Sequence, residues 1–234
     1  MLKPLLFTML LATAPAQAAD KEPLRYVVKT DAMLSADQQK PTEFQQKMGA
    51  ALARQLGRPI KYVQLPRTRI MAALENGKGD VLCSYLPEWT PGDVDWTRAF
   101  IPVVEVLLTI PHVKPPVSIE ELRGKRLGTV LGFRYPTLEK ALGADFIRDD
   151  APTSSLSIKK WTGGRFDYLL TTRNVITQHA NDNILPHGYH VMVVSEVKTM
   201  CAVSRKSKVT IHEINAAVNA LEKSGELTGI LKLR

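Results

Sequence analysis

Residues 60–83 read IKYVQLPRTRIMAALENGKGDVLC, and their pattern indicates how the first half of the chain folds. The β-branched and apolar residues of Ile60–Leu65 predict a strand. The helically spaced apolar residues of Ile70–Asn76 predict a helix, which Gly77 ends. In Asp80–Cys83 an aspartate is followed by three apolar residues, and this segment predicts a second strand. A strand, a helix and a strand in this order form the unit from which parallel sheets are built.

The same alternation extends toward the N-terminus. Leu24–Val28 is a β-rich run and predicts a strand. Thr42 is a suitable N-cap for a helix that runs to Leu56, and Gly57 ends that helix. Strand, helix, strand, helix, strand is the order of a parallel sheet covered by helices.

A second alternation follows the long apolar run Ile101–Ile110, which predicts a strand. The predicted strands are Arg126–Val130, Phe146–Ile147, Phe166–Leu170, Tyr189–Val194 and Met200–Val203, and the predicted helices are Thr137–Leu142, Ser155–Trp161, Asn174–His179 and Ile211–Lys223. Two α/β lobes of about 100 residues each fit this order. Ligands of such sheets bind beyond the carboxyl ends of the strands, so we expect a cleft between the lobes lined by the turns that follow them.

The first residues have the composition of an export signal. Lys3 is followed by a short apolar stretch and by the small residues Ala16 and Ala18, which match a cleavage site. The apolar stretch is shorter than the ~20 residues that a membrane span needs, and no later segment is long enough. Residues 1–18 are therefore predicted to be a signal peptide, and the mature protein is predicted to lie in a bacterial periplasm without spanning the membrane.

The charge of the chain first suggests nucleic acid as a partner. It has 31 Lys and Arg residues against 23 Asp and Glu residues, for a formal net charge of +8. Loss of Lys3 with the signal peptide leaves 30 against 23, or +7. Phosphate binding uses such basic residues, but export removes nucleic acid as a plausible partner.

Four motifs, in order, resemble the type II periplasmic solute-binding proteins of the family that includes polar amino-acid binders. Residues 74–80 (LENGKGD) resemble L-x-x-G-K-x-D, residues 119–128 (IEELRGKRLG) resemble D-L-x-G-K-x-V-G, residues 164–167 (GRFD) resemble G-x-x-D, and residues 214–230 resemble the terminal I-N-x-A segment. The resemblance implies two mostly parallel, helix-flanked lobes joined by two crossover strands. Lobe 1 would comprise residues 19–108 and 198–234, and lobe 2 residues 109–197.

The residues that hold an amino acid in that family are absent here. Val94-Asp95-Trp96-Thr97 aligns with the family's V-D-F-S, which places Trp89 on the arginine that binds the ligand's α-carboxylate. A tryptophan cannot form that forked ion pair. The same count from Asp167 places neutral Thr172 on the acid that pairs with the α-ammonium. We therefore do not expect a standard α-amino acid as the ligand.

Other residues near the predicted cleft offer a different chemistry. The arginines would suit a carboxylate, phosphate or sulfonate, and the aromatic side chains would contact a planar or aliphatic body. Trp96 is interpreted as a core residue instead. The predicted ligand-binding residues are Arg67, Arg69, Trp89, Phe133, Arg134, Tyr135, Thr172 and Arg173.

The resemblance implies a binding protein rather than an enzyme. We expect a monomer that closes on a small anionic or mixed-polarity solute and presents it to an ABC importer or a membrane sensor. One alternative is a periplasmic enzyme on the same scaffold, similar to the cyclohexadienyl dehydratases, which requires a cleft carboxylate such as Glu88. Another is a protein-binding module that has lost its small ligand.

The cysteines and histidines predict no metal or cofactor site. The five histidines are scattered, and His187 and His190 lack a third ligand at a diagnostic spacing. By the resemblance, Cys83 and Cys201 fall on strands that lie close in the first lobe. Sequence does not give their separation, and two buried thiols are favoured over a disulfide.

Overall fold

The structure, a computed structural model, describes residues 21–30, 40–180 and 184–234. Within these ranges the strands are β1 (Leu24–Thr30), β2 (Ile60–Pro66), β3 (Val81–Tyr85), β4 (Val94–Trp96), β5 (Ile101–Thr109), β6 (Arg126–Val130), β7 (Ile147–Ala151), β8 (Tyr168–Thr172) and β9 (His190–Ser204). The helices are α1 (Glu43–Gln55), α2 (Arg67–Glu75), α3 (Pro136–Leu142), α4 (Ser154–Thr162), α5 (Arg173–His179), α6 (Ile211–Lys223) and α7 (Glu226–Leu231). The predicted alternation of strands and helices is confirmed.

The first half-sheet contains β2, β1 and β3 in parallel, with β4 and the C-terminal part of β9 added antiparallel. Helix α1 covers it. Thr42 begins this helix with a capping box, in which its hydroxyl accepts from the Gln45 amide and the Gln45 side chain accepts from the Thr42 amide. The apolar face of α1 packs with α6 and α7 in one buried cluster. Met48 and Leu52 of α1 are fully buried in this cluster.

The second half-sheet has the order β9-β5-β8-β6-β7, and β6 is parallel to both β7 and β8. Helix α4 packs on it through Trp161, which is completely buried and donates its indole hydrogen to the Asp167 carbonyl at 3.1 Å. Gly128 on β6 allows this packing, because a Cβ there would lie 2.0 Å from the Phe166 ring. Small and large residues at these positions fit the half-sheet to its helix.

Two long antiparallel strands, β5 and β9, join the half-sheets. Their pairing runs from Ile101 opposite Thr199 to Thr109 opposite His190, with a register shift at Glu105. The prediction of two separate strands in residues 189–203 was wrong, because β9 is continuous through its polar middle. Pairing with β5 satisfies that backbone although side chains such as Glu196 are exposed.

The two cysteines form a disulfide, so the interpretation of two thiols was wrong. Cys83 on β3 lies directly opposite Cys201 on β9, and their Cα atoms are 3.9 Å apart. The residues are 118 positions apart in sequence, so only the strand register brings them together. The bond ties β3 to β9, the strand that returns to the first half-sheet.

The predicted signal peptide, residues 1–18, lies outside the described residues. In the ranges that the structure covers, no helix combines the length and the apolar composition that a membrane span needs.

Candidate functional site

A cavity of about 390 Å³ lies between the two half-sheets. The carboxyl ends of β1 and β3 line it on one side, and the carboxyl ends of β6 and β8 with the first residues of α4 and α5 line it on the other. Val103 and Glu105 of β5 contribute the part of the wall that joins the two sides. Open α/β sheets bind ligands at this end of their strands, so the topology alone makes the cavity the candidate site.

Arg67 spans the cavity from one half-sheet to the other. Helix α2 begins at Arg67, three residues earlier than predicted, because Pro66 precedes it with an extended backbone. The Arg67 Nε donates to the Gly132 carbonyl at 2.8 Å, and its guanidinium carbon lies 3.8 Å from the centre of the Phe133 ring. Burial raises the pKa of Tyr85, and neighbouring Arg67 offsets part of that shift. Through the hydrogen bond to Gly132 and the stacking on Phe133, the Arg67 guanidinium joins the two half-sheets.

Four more of the predicted residues line the cavity: Trp89, Phe133, Tyr135 and Thr172. The Phe133 and Tyr135 rings stack with their centroids 6.3 Å apart. The Tyr135 hydroxyl accepts from the Val130 amide at 3.1 Å, and burial raises its pKa to about 12. Trp89 lies half-buried in the turn after β3. The aromatic side chains give the cavity apolar walls.

Thr172 is the last residue of β8 and directly precedes α5. Its hydroxyl donates to the Asn174 side-chain oxygen at 2.5 Å. Both groups are neutral, so this corner of the cavity supplies hydrogen-bonding atoms but no charge.

Three predicted residues lie outside the cavity lining. Arg69 on α2 and Arg173 at the start of α5 are both exposed. Arg134 makes a forked ion pair with Glu139, five residues further along, at 2.7 Å. Of the four arginines that the sequence placed near the cleft, Arg67 alone lines the cavity described here.

Sequence reasoning missed Glu105. Its side chain lines the cavity from β5 and is only 8% exposed. The Ser195 hydroxyl donates to its Oε2 at 2.5 Å. Burial raises the pKa of this carboxyl, and the Ser195 bond offsets part of the shift. Glu105 is the lone acid in an otherwise apolar run, which is a signal that the sequence did contain.

Arg234 also reaches the cavity and had no signal in the sequence. It follows α7, which packs on α1 and α6, and its Nη1 donates to the Ser84 hydroxyl at 2.9 Å. Its guanidinium lies 4.9 Å from the Phe44 ring centre, and burial lowers its pKa to about 10. Ser84 has a positive φ of 72°, an uncommon backbone conformation for a non-glycine residue, and it lies between Cys83 and Tyr85 at the cavity edge.

The charged side chains of the described lining are mostly basic. They include the cationic side chains Lys29, Lys40, Arg67 and Arg234 and one carboxyl side chain, Glu105. His179 also lines it, with its Nε2 3.2 Å from the Ser155 hydroxyl. No group of three or more potential metal-binding side chains occurs in the ranges that the structure describes. The charge balance favours a ligand with an acidic group, while Glu105 adds one point of opposite charge.

Comparison of the fold with solved structures gives several close matches. An ancestral arginine-binding protein bound to arginine superposes with a TM-score of 0.73 and 20% identity, over 92% of this chain and 98% of that one. The ancestral amino-acid-binding protein AncCDT-1, a precursor of cyclohexadienyl dehydratase, superposes with a TM-score of 0.71 and 19% identity, over 89% of this chain and 93% of that one. A histidine kinase sensor domain with similarity to periplasmic binding proteins superposes with a TM-score of 0.70 and 16% identity, over 91% of this chain and 96% of that one.

At the level of sequence, no protein-family model matches the chain and no curated protein matches it. The structural matches cover nearly the whole of both partners. They show that this chain has the two-lobe α/β fold of the type II periplasmic binding proteins, as the motifs predicted.

Proposed function

We propose that this protein is a periplasmic solute-binding protein that closes its two lobes on a small acid. The observation that carries the proposal is the cavity between the half-sheets, across which Arg67 contacts Gly132. The first lobe brings the basic side chains Lys29, Lys40, Arg67 and Arg234 to this cavity, and the second lobe brings the aromatic rings of Phe133 and Tyr135. The proposed lobes are residues 19–108 with 198–234, and residues 109–197. They would close by bending at β5 and β9, the two strands that join them.

The proposed ligand-contacting subset of the predicted residues is Arg67, Trp89, Phe133, Tyr135 and Thr172, to which Arg234 is added. Arg67 and Arg234 offer guanidinium groups that suit a carboxylate, sulfonate or phosphonate. Because Trp89 and Thr172 are not the anchors of an α-amino acid, we expect organic acids and non-α amino acids to bind better than standard L-amino acids.

A thermal-shift screen tests the proposal directly. The purified mature chain is heated with amino acids, organic acids, sulfonates, phosphonates and polyamines, each over a range of concentrations. A ligand at 100 times its Kd stabilises the native state by about 2.7 kcal/mol, which for a chain of this size raises the melting temperature by roughly 6–10 °C. A screen in which no solute raises the melting temperature would contradict the proposal and favour a protein-binding module. Leading hits among standard L-amino acids would contradict the role given to Trp89 and Thr172.

Replacing Arg67 by alanine is expected to weaken the best hit of that screen about tenfold or more, because it removes the bond to Gly132 and the stacking on Phe133. Isothermal titration calorimetry measures the change. Arg69→Ala, two residues further along the same helix, is the matched control, because Arg69 is exposed and outside the cavity. Equal effects of the two substitutions, or none from Arg67→Ala, would show that Arg67 is not part of the site.

The proposed partner is an ABC importer or a membrane sensor that reads the closed form. The histidine kinase sensor domain among the structural matches shows that this fold also occurs in a sensor protein, which supports the second possibility. Co-purification of the protein with its ligand and with detergent-solubilised membranes distinguishes a membrane partner from a freely diffusing carrier.

An enzyme on the same scaffold is the second candidate function. The sequence pointed to Glu88 as the cleft carboxylate, but Glu88 is exposed in a turn and lies outside the cavity lining. Glu105 meets the requirement instead, because it is buried, faces the cavity and has a raised pKa, as a general acid needs. Incubation of each screening hit with the protein, followed by NMR of the solute, decides this: an unchanged solute excludes the enzyme, and turnover that Glu105→Gln abolishes supports it.

A further inference from the structure

Glu105 is placed in the cavity by the pattern of β5. Val103 and Glu105 are two positions apart on the strand, so their side chains face the same side, which lines the cavity. The neighbouring Val106 faces the opposite side and packs in the apolar cluster with α4. The strand is buried along most of its length. Burying a charged side chain at this position costs free energy, and a ligand group that pairs with Glu105 would offset that cost.

The surroundings of Glu105 leave most of its hydrogen-bonding capacity unused. A carboxylate offers about four acceptor sites, and Ser195 fills one of them. Across the half-sheet, Glu105 lies opposite Thr172 on one side and opposite Ser195 on the other, and both are neutral. In the part of the chain that the structure describes, Glu105 makes no ion pair, so no Lys, Arg or His nitrogen there lies within hydrogen-bonding distance of its carboxylate.

Burial without a counter-charge is unfavourable for the free protein. An isolated carboxylate in a dry site is destabilising, and a cation brought to it is held by a charge-assisted hydrogen bond. The strand register places the neutral residue Thr172 directly opposite Glu105, so Thr172 does not compete with Glu105 for a positive group. A positive group that entered this corner of the cavity would therefore meet Glu105 as its acidic partner.

We propose that Glu105 recognises a cationic nitrogen of the ligand, an amine or a guanidine. Combined with the guanidinium groups of Arg67 and Arg234, it selects solutes that carry both an acid and a cationic nitrogen over acids without one. This inference rests on the proposed binding function and narrows its ligand class.

Three matched pairs of probes test the inference: taurine with ethanesulfonate, 5-aminopentanoate with pentanoate, and 4-guanidinobutanoate with butanoate. Calorimetry at neutral pH gives Kd for each member. For at least one pair we expect the wild type to bind the nitrogen-bearing member about tenfold tighter or more, which is the scale of one charge-assisted hydrogen bond. Glu105→Gln should reduce that ratio to about threefold or less, because a neutral amide keeps the shape but loses the charge.

Glu196→Gln is the matched control, since Glu196 lies on the adjoining strand, is exposed and does not line the cavity. It should leave the ratio unchanged. Glu105→Asp keeps the charge and should retain the preference at weaker affinity, so it serves if the glutamine variant does not fold. Failure of both variants to fold would assign Glu105 a structural role and overturn the inference.

Two further outcomes would overturn it. The first is equal affinity of the wild type for both members of every pair, or a preference that survives in Glu105→Gln. The second is no binding of any of the six probes. The broader thermal-shift screen separates these from failure of the proposed function, because that function fails only when no solute of any class binds.

Discussion

Removing the Cys83–Cys201 disulfide is expected to lower the free energy of unfolding more than any other change discussed for this protein. The bridge closes a loop with a sequence separation of 118 residues. The chain-entropy relation gives about 5 kcal/mol for a loop of this length, and measured losses are typically 2–5 kcal/mol. For a chain of this size, 4 kcal/mol corresponds to a fall in melting temperature of roughly 8–16 °C. The double variant Cys83→Ala/Cys201→Ala, followed by urea unfolding and calorimetry, measures it.

Reductant provides the control for this experiment. Dithiothreitol should lower the stability of the wild type toward that of the double variant and leave the variant unchanged. Because Cys83 and Ser84 line the cavity, we also expect the variant to bind the best screening hit more weakly. An equal melting temperature of the wild type with and without reductant would contradict the prediction, because it would mean that no disulfide contributes to the stability.

The second large effect is expected at Asp80, which is only 3% exposed below the first half-sheet. Its carboxylate accepts from the Arg25 amide at 2.7 Å and, in a forked arrangement, from Arg25 Nη2 at 2.6 Å and Nε at 3.1 Å. The Ser207 hydroxyl donates to it at 2.8 Å. Asp80→Asn removes the charge and inverts one acceptor into a donor, and we expect a loss of about 2–4 kcal/mol in urea unfolding.

The pH dependence of this loss has a defined sign. Burial raises the pKa of Asp80, but the hydrogen bonds from Arg25 and Ser207 lower it and prevail, so the folded pKa lies below the ordinary value. A depressed carboxyl pKa stabilises the fold above the unfolded value of about 3.9 and loses that effect as pH falls toward the folded value. The stability difference between wild type and Asp80→Asn should therefore be full at pH 6 and shrink below about pH 4.

Asp93→Asn is the matched control for Asp80→Asn. Asp93 pairs with Arg205 but is 76% exposed, and exposed pairs contribute about 0–1 kcal/mol. A difference between wild type and Asp80→Asn that stays constant down to pH 3, or an effect no larger than that of Asp93→Asn, would show that the Asp80 carboxylate is not the stabilising group.

The helices and strands could be predicted because their signals are local. Helix α6 has the predicted bounds, Ile211–Lys223, since its apolar spacing and its Thr210 capping box lie within the segment itself. Strand β9 was divided in two by the prediction because its middle, with Ser195 and Glu196, is polar. Its continuity depends on pairing with β5, which lies about ninety residues away in the chain, as the separation of 90 between Glu105 and Ser195 shows.

The candidate site was predictable only in part. Arg67 and Phe133 were expected from the resemblance, and the structure brings them within 3.8 Å of each other. Arg134 was expected beside them, but Glu139 on the following helix holds its guanidinium outside the cavity. The position of a residue in a loop therefore predicted proximity to the cleft without predicting the direction of its side chain.

Local sequence patterns were enough to predict the alternation of strands and helices, and through it the two α/β halves and the end of the sheets at which a ligand would bind. Periodicity, caps and glycine stops act over a few residues, so they can be read without the fold. The strand register, in contrast, could be known only from the folded chain. That register bonds Cys83 to Cys201, places Glu105 opposite Thr172 and leaves it facing the cavity. Register depends on how segments distant in sequence pack together, and a shift by one residue would turn these side chains to the other face.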